Sequence, residues 1–338
     1  MRKIIVVLVG FLVVPLLLTG TGGGAVPQKG KLKVGLVTDI GKISDGTFNE
    51  LAYKGMMKAV NEFNLQGSFI ETESSQYYEK NIARLAEQKY DLIISAGFVL
   101  GEATAKMARK YPHVKFAIVD KAYDPPLPNI MGLVFSEDEA GFLAGVLAGQ
   151  VTRSKVVGIV CGKEIPPVVR YRKGYESGVK YVRPDCKVIG VYIDSFVAPE
   201  EGKKAALSMI SQKADVIFGA GGMTGAGGII AAAEAGCWVI GVDQDQYDTL
   251  FRDRKSGREK LLSSAMKRVD IAVYTAVADL ARGNFKGGTG LFNAANDGVG
   301  MAPHHDAESA ISPPVKEKMA EIAEGLKKGK IKTGVKQQ

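Results

Sequence analysis

The chain has 338 residues, of which 46% are hydrophobic and 24% charged, with 41 glycines and three cysteines; these proportions exclude a disordered, fibrous or disulfide-framework protein. Its length is typical of two domains. The formal net charge of +8 comes partly from the basic N-terminus and the lysine-rich C-terminus, and no nucleic-acid-binding motif accompanies these lysines, so we expect no nucleic-acid partner.

Residues 1–25 have the order of an export signal. Arg2 and Lys3 precede the apolar run Ile4–Leu18, which is followed by small residues as far as Ala25. The run is shorter than the about 20 apolar residues of a membrane span. We therefore expect an exported protein, at the outer face of the cytoplasmic membrane or in the periplasm, with residues 26–32 as a linker.

Leu18-Thr19-Gly20 resembles the start of a bacterial lipoprotein cleavage box, but Thr21 stands where that box requires a cysteine. Lipidation at this position is therefore not expected. Three alternatives remain open: the mature protein is released, the signal stays as an anchor, or residue 21 is altered in this version of the sequence.

The first half of the remaining chain alternates short apolar runs with amphipathic stretches. The runs predict buried strands at 33–38, 91–95, 114–119 and 130–135. The stretches between and after them predict helices at 48–63, 79–88, 101–111 and 137–150. This alternation is typical of a parallel α/β sheet covered on both faces.

The same alternation begins again after residue 154 and predicts a second α/β unit. Its strands are predicted at 155–160, 187–193, 215–219, 237–242 and 261–265. Its helices are predicted at 168–182, 200–212 and 225–235, with further helices at 269–282 and 314–328. Residues 288–300 are expected to be irregular or strand.

Ligands of open parallel sheets bind beyond the carboxyl ends of the strands, so the residues that follow each strand are the first candidates. They include carboxylates, aromatic rings, glycines and one cationic donor: Asp39, Phe48, Asn49, Gly97, Phe98, Asp120, Gly221, Gly222, Asp243 and Lys267. Such a set suits a flat, neutral ligand with hydroxyl groups. The alternative for each is structural, because strand-terminal Asp residues cap helices and Phe48 could belong to the core.

The glycine-rich stretch 219–228, with Asp243 at the next strand end, weakly resembles a dinucleotide fingerprint. The glycine order is wrong for the strict motif, and a helix N-terminus with close backbone approach explains it equally well. No motif of a catalytic triad, a phosphate-binding loop or a zinc protease is present. We expect no catalytic residue, no metal and no cofactor.

The histidines and cysteines do not have the sequence spacing of metal ligands. His113, His304 and His305 are expected in loops or at the surface. Cys161, Cys186 and Cys237 lie in apolar contexts and are expected to be structural thiols, although one disulfide remains possible in an oxidising compartment.

Several segments together resemble the basic membrane protein family of bacterial substrate-binding lipoproteins, whose best-known type binds purine nucleosides. The resemblance covers roughly residues 32–300. Its motifs are Val34–Asp39, Asp45–Asn49, Gly141–Gly149, Pro166–Tyr175, Ser195-Phe196, Gly221–Gly225, Ile240–Gln246 and Ser264–Asp270. Thr21 is the main departure from the family, which has a lipidated cysteine there.

The resemblance implies a type I periplasmic-binding fold, in which two Rossmann-like α/β lobes with parallel sheets are joined by a three-strand hinge. It implies one lobe from 33–152 plus about 266–290, and a second from 153–265 plus about 291–330. It also implies a monomeric receptor that delivers a solute to an ABC permease, and not an enzyme.

The family pocket implies a role for each matching residue. Phe48 and Phe196 would sandwich a purine from opposite lobes, and Asn49 and Asp120 would read the edge of the base. Asp243, Lys267 and the Gly221-Gly222 backbone would hold the ribose hydroxyls. Asp39 would support its loop or bond the ligand directly.

Other functions remain open. One is a receptor for another flat heterocycle, and a second is a sensory or adhesive surface protein with the same fold. The third is an NAD-type enzyme, which only the glycine-rich turn and Asp243 favour. The sequence does not rank inosine, guanosine and adenosine.

Overall fold

Two six-stranded sheets organise the structure, a computed structural model that describes residues 30–254 and 256–336. The export signal and most of the linker, including Thr21, lie outside the described residues. From Lys31 onward the chain forms one compact unit.

The first sheet has the strand order β11-β5-β4-β3-β1-β2, and every neighbouring pair is parallel. The strands are β1 (Lys33–Ile40), β2 (Gln66–Thr72), β3 (Leu92–Ala96), β4 (Lys115–Val119), β5 (Ile130–Phe135) and β11 (Gly288–Phe292). Helices α1 (Phe48–Glu62), α2 (Tyr78–Glu87), α3 (Gly101–Lys110) and α8 (Val269–Ala281) pack on it. We call this sheet and these helices the first lobe.

The second sheet has the order β12-β10-β9-β8-β6-β7 and is parallel except for the β10–β12 pair. Its strands are β6 (Val156–Cys161), β7 (Lys187–Tyr192), β8 (Val216–Ala220), β9 (Trp238–Asp243), β10 (Leu261–Lys267) and β12 (Val299–Met301). Helices α4 (Glu137–Val151), α5 (Pro166–Val182), α6 (Pro199–Ser211) and α7 (Gly222–Glu234) pack on it, and α9 (Pro313–Lys327) packs against α4. These elements form the second lobe.

The central strands consist almost entirely of apolar residues because helices cover both faces of each sheet. All five residues of β3 and all five of β8 are buried. The central strands therefore end in the interior, where Asp120 after β4 and Asp243 at the end of β9 are also buried.

The chain passes between the lobes three times. β5 leads into α4, β10 leads into α8, and β11 is followed by β12. Glu137 and Lys267 lie at the first two of these crossings. We refer to the three crossings as the hinge.

The first crossing differs in position from the expected boundary at residue 152. α4 packs against β8, β10 and β12 and against α5, so it belongs to the second lobe. The reason is its composition: α4 is apolar nearly all round, and only burial between the second sheet and its neighbouring helices covers both of its sides.

The remaining predicted elements agree with the structure to within a few residues at either end, with one omission. Strand β2 was not predicted, because this edge strand is only partly buried and Phe69 is exposed on it. Residues 288–300 contain two short strands, β11 and β12, in different sheets.

Cys161 and Cys186 are buried, Cys237 is half-buried, and all are free thiols. Burial raises the pKa of Cys161 to about 12, so this thiol is unreactive at neutral pH. Within residues 30–254 and 256–336 we find no helix with the length and hydropathy of a membrane span.

Candidate ligand-binding site

A cavity of about 360 Å³ lies between the lobes, at the carboxyl ends of the strands. Every site residue predicted from the sequence lines it: Asp39, Phe48, Asn49, Gly97, Phe98, Asp120, Phe196, Gly221, Gly222, Asp243 and Lys267. The volume lies in the usual range for small-molecule pockets.

Aromatic rings reach the cavity from both lobes. Phe48 is the first residue of α1, Phe98 follows β3 in the first lobe, and Phe196 follows β7 in the second. Gly162 makes room for Phe196, because a Cβ atom there would lie 2.6 Å from Cδ1 of the ring. The cavity therefore has flat apolar surfaces on opposite lobes.

A buried cluster of charges connects the lobes beside the hinge. Lys267 Nζ donates to both carboxylate oxygens of Asp120 over 2.8 Å and to Glu137 Oε1 over 3.2 Å. Arg170 Nε donates to Glu137 Oε2 over 2.7 Å. Because Asp120 follows β4 and Lys267 ends β10, the ion pair joins the first lobe to the second.

Burial changes the acidity of this cluster. Burial raises the pKa of Asp243 to about 7, an effect that the ammonium of Lys267 partly offsets. Burial likewise raises the pKa of Asp120, with Lys267 again opposing the change. Burial alone would lower the pKa of Lys267. The nearby carboxylates of Asp120, Glu137 and Asp243 outweigh this effect, so that the pKa of Lys267 lies above its ordinary value. Lys267 therefore stays protonated at neutral pH.

The loop before α1 presents polar atoms to the cavity. Asp45 accepts hydrogen bonds from the backbone N–H groups of Thr47, Asn49 and Glu50. Asn49 Oδ1 and Thr47 Oγ1 are buried and have no hydrogen-bond partner among the described residues. Since buried polar atoms are nearly always bonded, these two atoms are available to a ligand.

Asp39 is held by its own lobe. Its carboxylate accepts a short hydrogen bond from the Tyr78 hydroxyl and one of 2.6 Å from the Ile40 N–H. Burial raises its pKa, and the Tyr78 bond opposes that change. The free part of this carboxylate faces the cavity.

The glycine-rich turn has a steric cause. Gly221 and Gly222 both have positive φ, and a Cβ atom at Gly221 would lie 2.2 Å from the backbone nitrogen of Gly162. The turn therefore brings β8 against the end of β6 and then opens α7 at Gly222.

Other residues also line the cavity but were not named among the predicted site residues. They include Ile40, Asp45, Thr47, Ile165, Pro167, Val168, Tyr171 and Met223. Tyr171 lies in the second turn of α5 and not at a strand end, so the strand-end argument does not reach it. Its hydroxyl is buried near Asp243.

Comparison with known proteins identifies the family of the chain. Residues 32–335 match the family Bmp, described as PnrA-like ABC transporter substrate-binding proteins. The ABC transporter nucleoside-binding protein BmpA of Lactococcus lactis is 31% identical over 91% of this chain and 90% of its own length. An uncharacterized lipoprotein of Pyrococcus furiosus is 28% identical over 98% of this chain and 93% of its own.

A solved structure supports the architecture. The ABC transporter solute-binding protein of Aeropyrum pernix K1 superimposes with a TM-score of 0.80 and 28% identity, over 89% of this chain and 92% of that one. Together with the two lobes and their sheets, this likeness confirms the predicted type I periplasmic-binding fold.

Proposed function

The chain belongs to the Bmp family of PnrA-like ABC transporter substrate-binding proteins, and we propose that its ligand is a purine nucleoside held between the two lobes. As a member of this family it is a binding protein and not an enzyme. The NAD-type enzyme considered from the glycine-rich turn is therefore wrong, and that turn serves the packing of β8 against β6.

One observation carries the proposal. Phe48 and Phe196 bring flat apolar faces from opposite lobes into the same cavity as the buried carboxylates of Asp120 and Asp243. A purine stacks on aromatic faces, and ribose hydroxyls donate hydrogen bonds to carboxylates. The printed name of the Lactococcus relative, a nucleoside-binding protein, is consistent with this ligand class.

The charge of the cavity favours a neutral ligand. Its walls carry the carboxyl groups of Asp39, Asp45, Asp120 and Asp243. Lys42 at the rim is paired with Glu71 over 2.9 Å, and Lys267 is already bonded to Asp120. A phosphate group would add negative charge to a site that already has an excess of it.

Each residue has a proposed role. Phe48 and Phe196 stack on the two faces of the base, and Asn49 and Asp120 bond its edge. Asp243, Lys267 and the backbone at Gly221-Gly222 hold the ribose hydroxyls, with Asp39 supporting the neighbouring loop or bonding the ligand. Charge-assisted hydroxyl bonds of this kind contribute about 1.5–3 kcal/mol each and would discriminate ribose from deoxyribose.

As an ABC transporter substrate-binding protein, the chain acts with a permease. We propose that it works outside the cytoplasm, with the two lobes closing on the ligand and the closed form docking on the permease. Whether it is lipid-anchored depends on residue 21, which is Thr.

Isothermal titration calorimetry tests the ligand class. The chain from residue 31 is unfolded and refolded to remove carried-over ligand, then titrated with inosine, guanosine, adenosine, cytidine and ribose. We expect submicromolar binding of at least one purine nucleoside and no binding of ribose. Absence of binding to all five would reject the nucleoside proposal and direct the search to other flat solutes.

A further inference from the structure

Hydrogen bonds join the two lobes at the edge of the ligand cavity. Gln244 Nε2 donates to the carbonyl oxygen of Thr47 over 3.2 Å, and Thr249 Oγ1 donates to that of Gly46 over 3.1 Å. The donors belong to the loop after β9 in the second lobe, and the acceptors to the loop before α1 in the first. Neither donor side chain lines the cavity. We call Gln244, Thr249 and the two acceptor carbonyls the latch.

The acceptor side of the latch is held in place before the lobes meet. Asp45 accepts hydrogen bonds from the N–H groups of Thr47 and Glu50, over 2.8 and 3.2 Å. The Glu50 carboxylate accepts one from the Gly46 N–H over 2.9 Å. The Gly46 and Thr47 carbonyls therefore have a fixed direction, which lowers the entropy that the latch loses on forming.

The donor side is similarly restrained. Gln244 is 5% exposed, and its amide oxygen lies 3.5 Å from Lys54 Nζ of the first lobe. Lys54 in turn pairs closely with Glu50. The orientation of the Gln244 amide thus depends on charged groups of the opposite lobe.

The latch is adjacent in the chain to residues of the ligand cavity on both sides. Thr47 precedes Phe48 and Asn49, and Gln244 follows Asp243. Any separation of the lobes that opens the cavity between these residues also lengthens the latch hydrogen bonds. The latch therefore exists only in the closed arrangement.

We propose that Gln244 and Thr249 are positioning residues that stabilise the closed arrangement of the lobes and thereby slow the release of the ligand. They act without contacting the ligand, because an interaction present in only one of two states shifts the equilibrium by its own free energy. The net free energy of one hydrogen bond corresponds to a change of about two- to tenfold in the ratio of closed to open protein. Only the identity of the ligand rests on the proposed function; the latch itself does not.

Disulfide cross-linking tests the Gln244 part of the latch without any ligand, because one of the two new cysteines replaces Thr249. A Cβ atom at Gly46 would lie 4.0 Å from Cβ of Thr249, which is within the spacing of a disulfide. The parent for the experiment carries Gly46→Cys and Thr249→Cys, with Cys237→Ser to remove the half-buried native thiol. The rate at which oxidised glutathione closes the new disulfide then reports how often the lobes meet.

Adding Gln244→Ala to this parent should slow cross-linking by about two- to tenfold. Gln212→Ala is the matched control, because Gln212 Nε2 also donates to a backbone carbonyl over 3.2 Å, that of Ser208, but entirely within the second lobe. We expect the control to cross-link at the parent rate. An equal rate for the Gln244→Ala protein and the parent would overturn the proposal.

Ligand release gives a second test in a background without added cysteines. Thr249→Val keeps the shape of the side chain and removes its hydroxyl. In stopped-flow displacement of inosine, we expect the dissociation rate constant to rise about two- to tenfold with the association rate constant unchanged. An unchanged dissociation rate would contradict the proposal. Failure of every purine nucleoside to bind the wild type would reject the nucleoside assignment alone, and cross-linking would still decide on the role of Gln244.

Discussion

At the scale of single residues, the cavity combines two kinds of contact that contribute differently. The aromatic rings of Phe48 and Phe196 supply apolar surface, whose contribution depends little on the orientation of the ligand. The carboxylates supply charge-assisted hydrogen bonds, which depend strongly on it. Because buried carboxylates are costly without partners, the same groups that bind a ligand also affect folding. The two roles are separable by substitution and by pH.

Phe196→Ala should weaken nucleoside binding while the fold is preserved. Stacking contributes about 0.5–1.5 kcal/mol beyond area burial, and the lost apolar contact adds to it, so we expect the Kd to rise at least about tenfold. Calorimetry measures this change, and thermal unfolding checks the fold. Phe69→Ala is the control, because Phe69 is 40% exposed and lies on β2, outside the cavity. Unchanged affinity would remove Phe196 from the site.

Asp243→Asn should weaken the binding of ribosides more than that of free purine bases. An amide is isosteric with the carboxylate but lacks its charge, so the bonds to ribose hydroxyls lose their charge-assisted part, on the order of 1–2 kcal/mol or roughly tenfold in Kd. Titration with inosine and with hypoxanthine at pH 8, above the raised pKa of Asp243, measures the difference, and the exposed Asp253→Asn is the control. An equal loss for both ligands would exclude a ribose role.

The raised pKa of Asp243 also predicts a change of stability with pH. Burial raises this pKa from its ordinary value of 3.8 to about 7, so the native state keeps a proton that the unfolded state has lost. Between about pH 4 and pH 7 the native state therefore binds more protons, and the contribution of Asp243 to the free energy of unfolding falls as the pH rises. Below pH 4 both states are protonated and the contribution is fully present.

Asp243→Asn removes this titration, so its stability relative to the wild type should increase from pH 4.5 to pH 8, by up to a few kcal/mol. Asp120, Asp45, Glu137 and Lys267 surround the site in both proteins, so the difference between the two proteins reports on Asp243. Urea unfolding at the two pH values provides the measurement. A difference that is independent of pH would show that Asp243 is ionised in the folded protein.

At the scale of elements, glycines allow α4 and α5 to pack with their backbones in contact. A Cβ atom at Gly145 would lie 2.1 Å from the carbonyl oxygen of Tyr175, and one at Gly178 would lie 2.0 Å from that of Phe142. The obstacle in both cases is a backbone atom, which cannot move unless the helices separate. This contact holds α4, the element that follows the first hinge crossing, against the second lobe.

Gly145→Ala should therefore destabilise the protein by about 2 kcal/mol or more, even though alanine favours a helix by about 1 kcal/mol. Gly325→Ala in α9 is the matched control, because the neighbour of its Cβ would be the flexible end of the Ile331 side chain, at 2.5 Å. Urea unfolding compares the two. Equal stabilities would show that the α4–α5 contact adjusts without loss.

Most elements are predictable from the sequence because their apolar runs are buried on both faces. The exceptions have two causes: partial exposure of an element, and a position that depends on tertiary contacts. β2 is an edge strand whose side chains are mostly polar or exposed, and the assignment of α4 to the second lobe depends on which sheet it covers. The strand-end rule finds Asp39, Asp120 and Asp243, but it does not reach Tyr171 or Arg170, whose positions depend on how α5 approaches the cavity.

At the scale of the whole molecule, the hinge, the cavity and the latch lie along one interface between the lobes. Lys267–Asp120 joins the lobes beside the hinge, and Gln244–Thr47 joins them at the latch. A ligand between these two links contacts both lobes at once. Binding therefore stabilises the lobes together and not one at a time.

Ligand should consequently raise the unfolding temperature of both lobes by the same amount. At a ligand concentration of 100 times the Kd, the expected stabilisation is about 2.7 kcal/mol, or roughly 4 °C for a chain of this length. Trp238, the one tryptophan of the sequence, lies in β9 of the second lobe, so its fluorescence reports on that lobe, while the calorimetric transition reports on the whole chain. We expect both midpoints to shift together with inosine. A calorimetric shift without a shift in Trp238 fluorescence would mean that the ligand binds the first lobe alone, because a lobe that gains no ligand contact gains no stability.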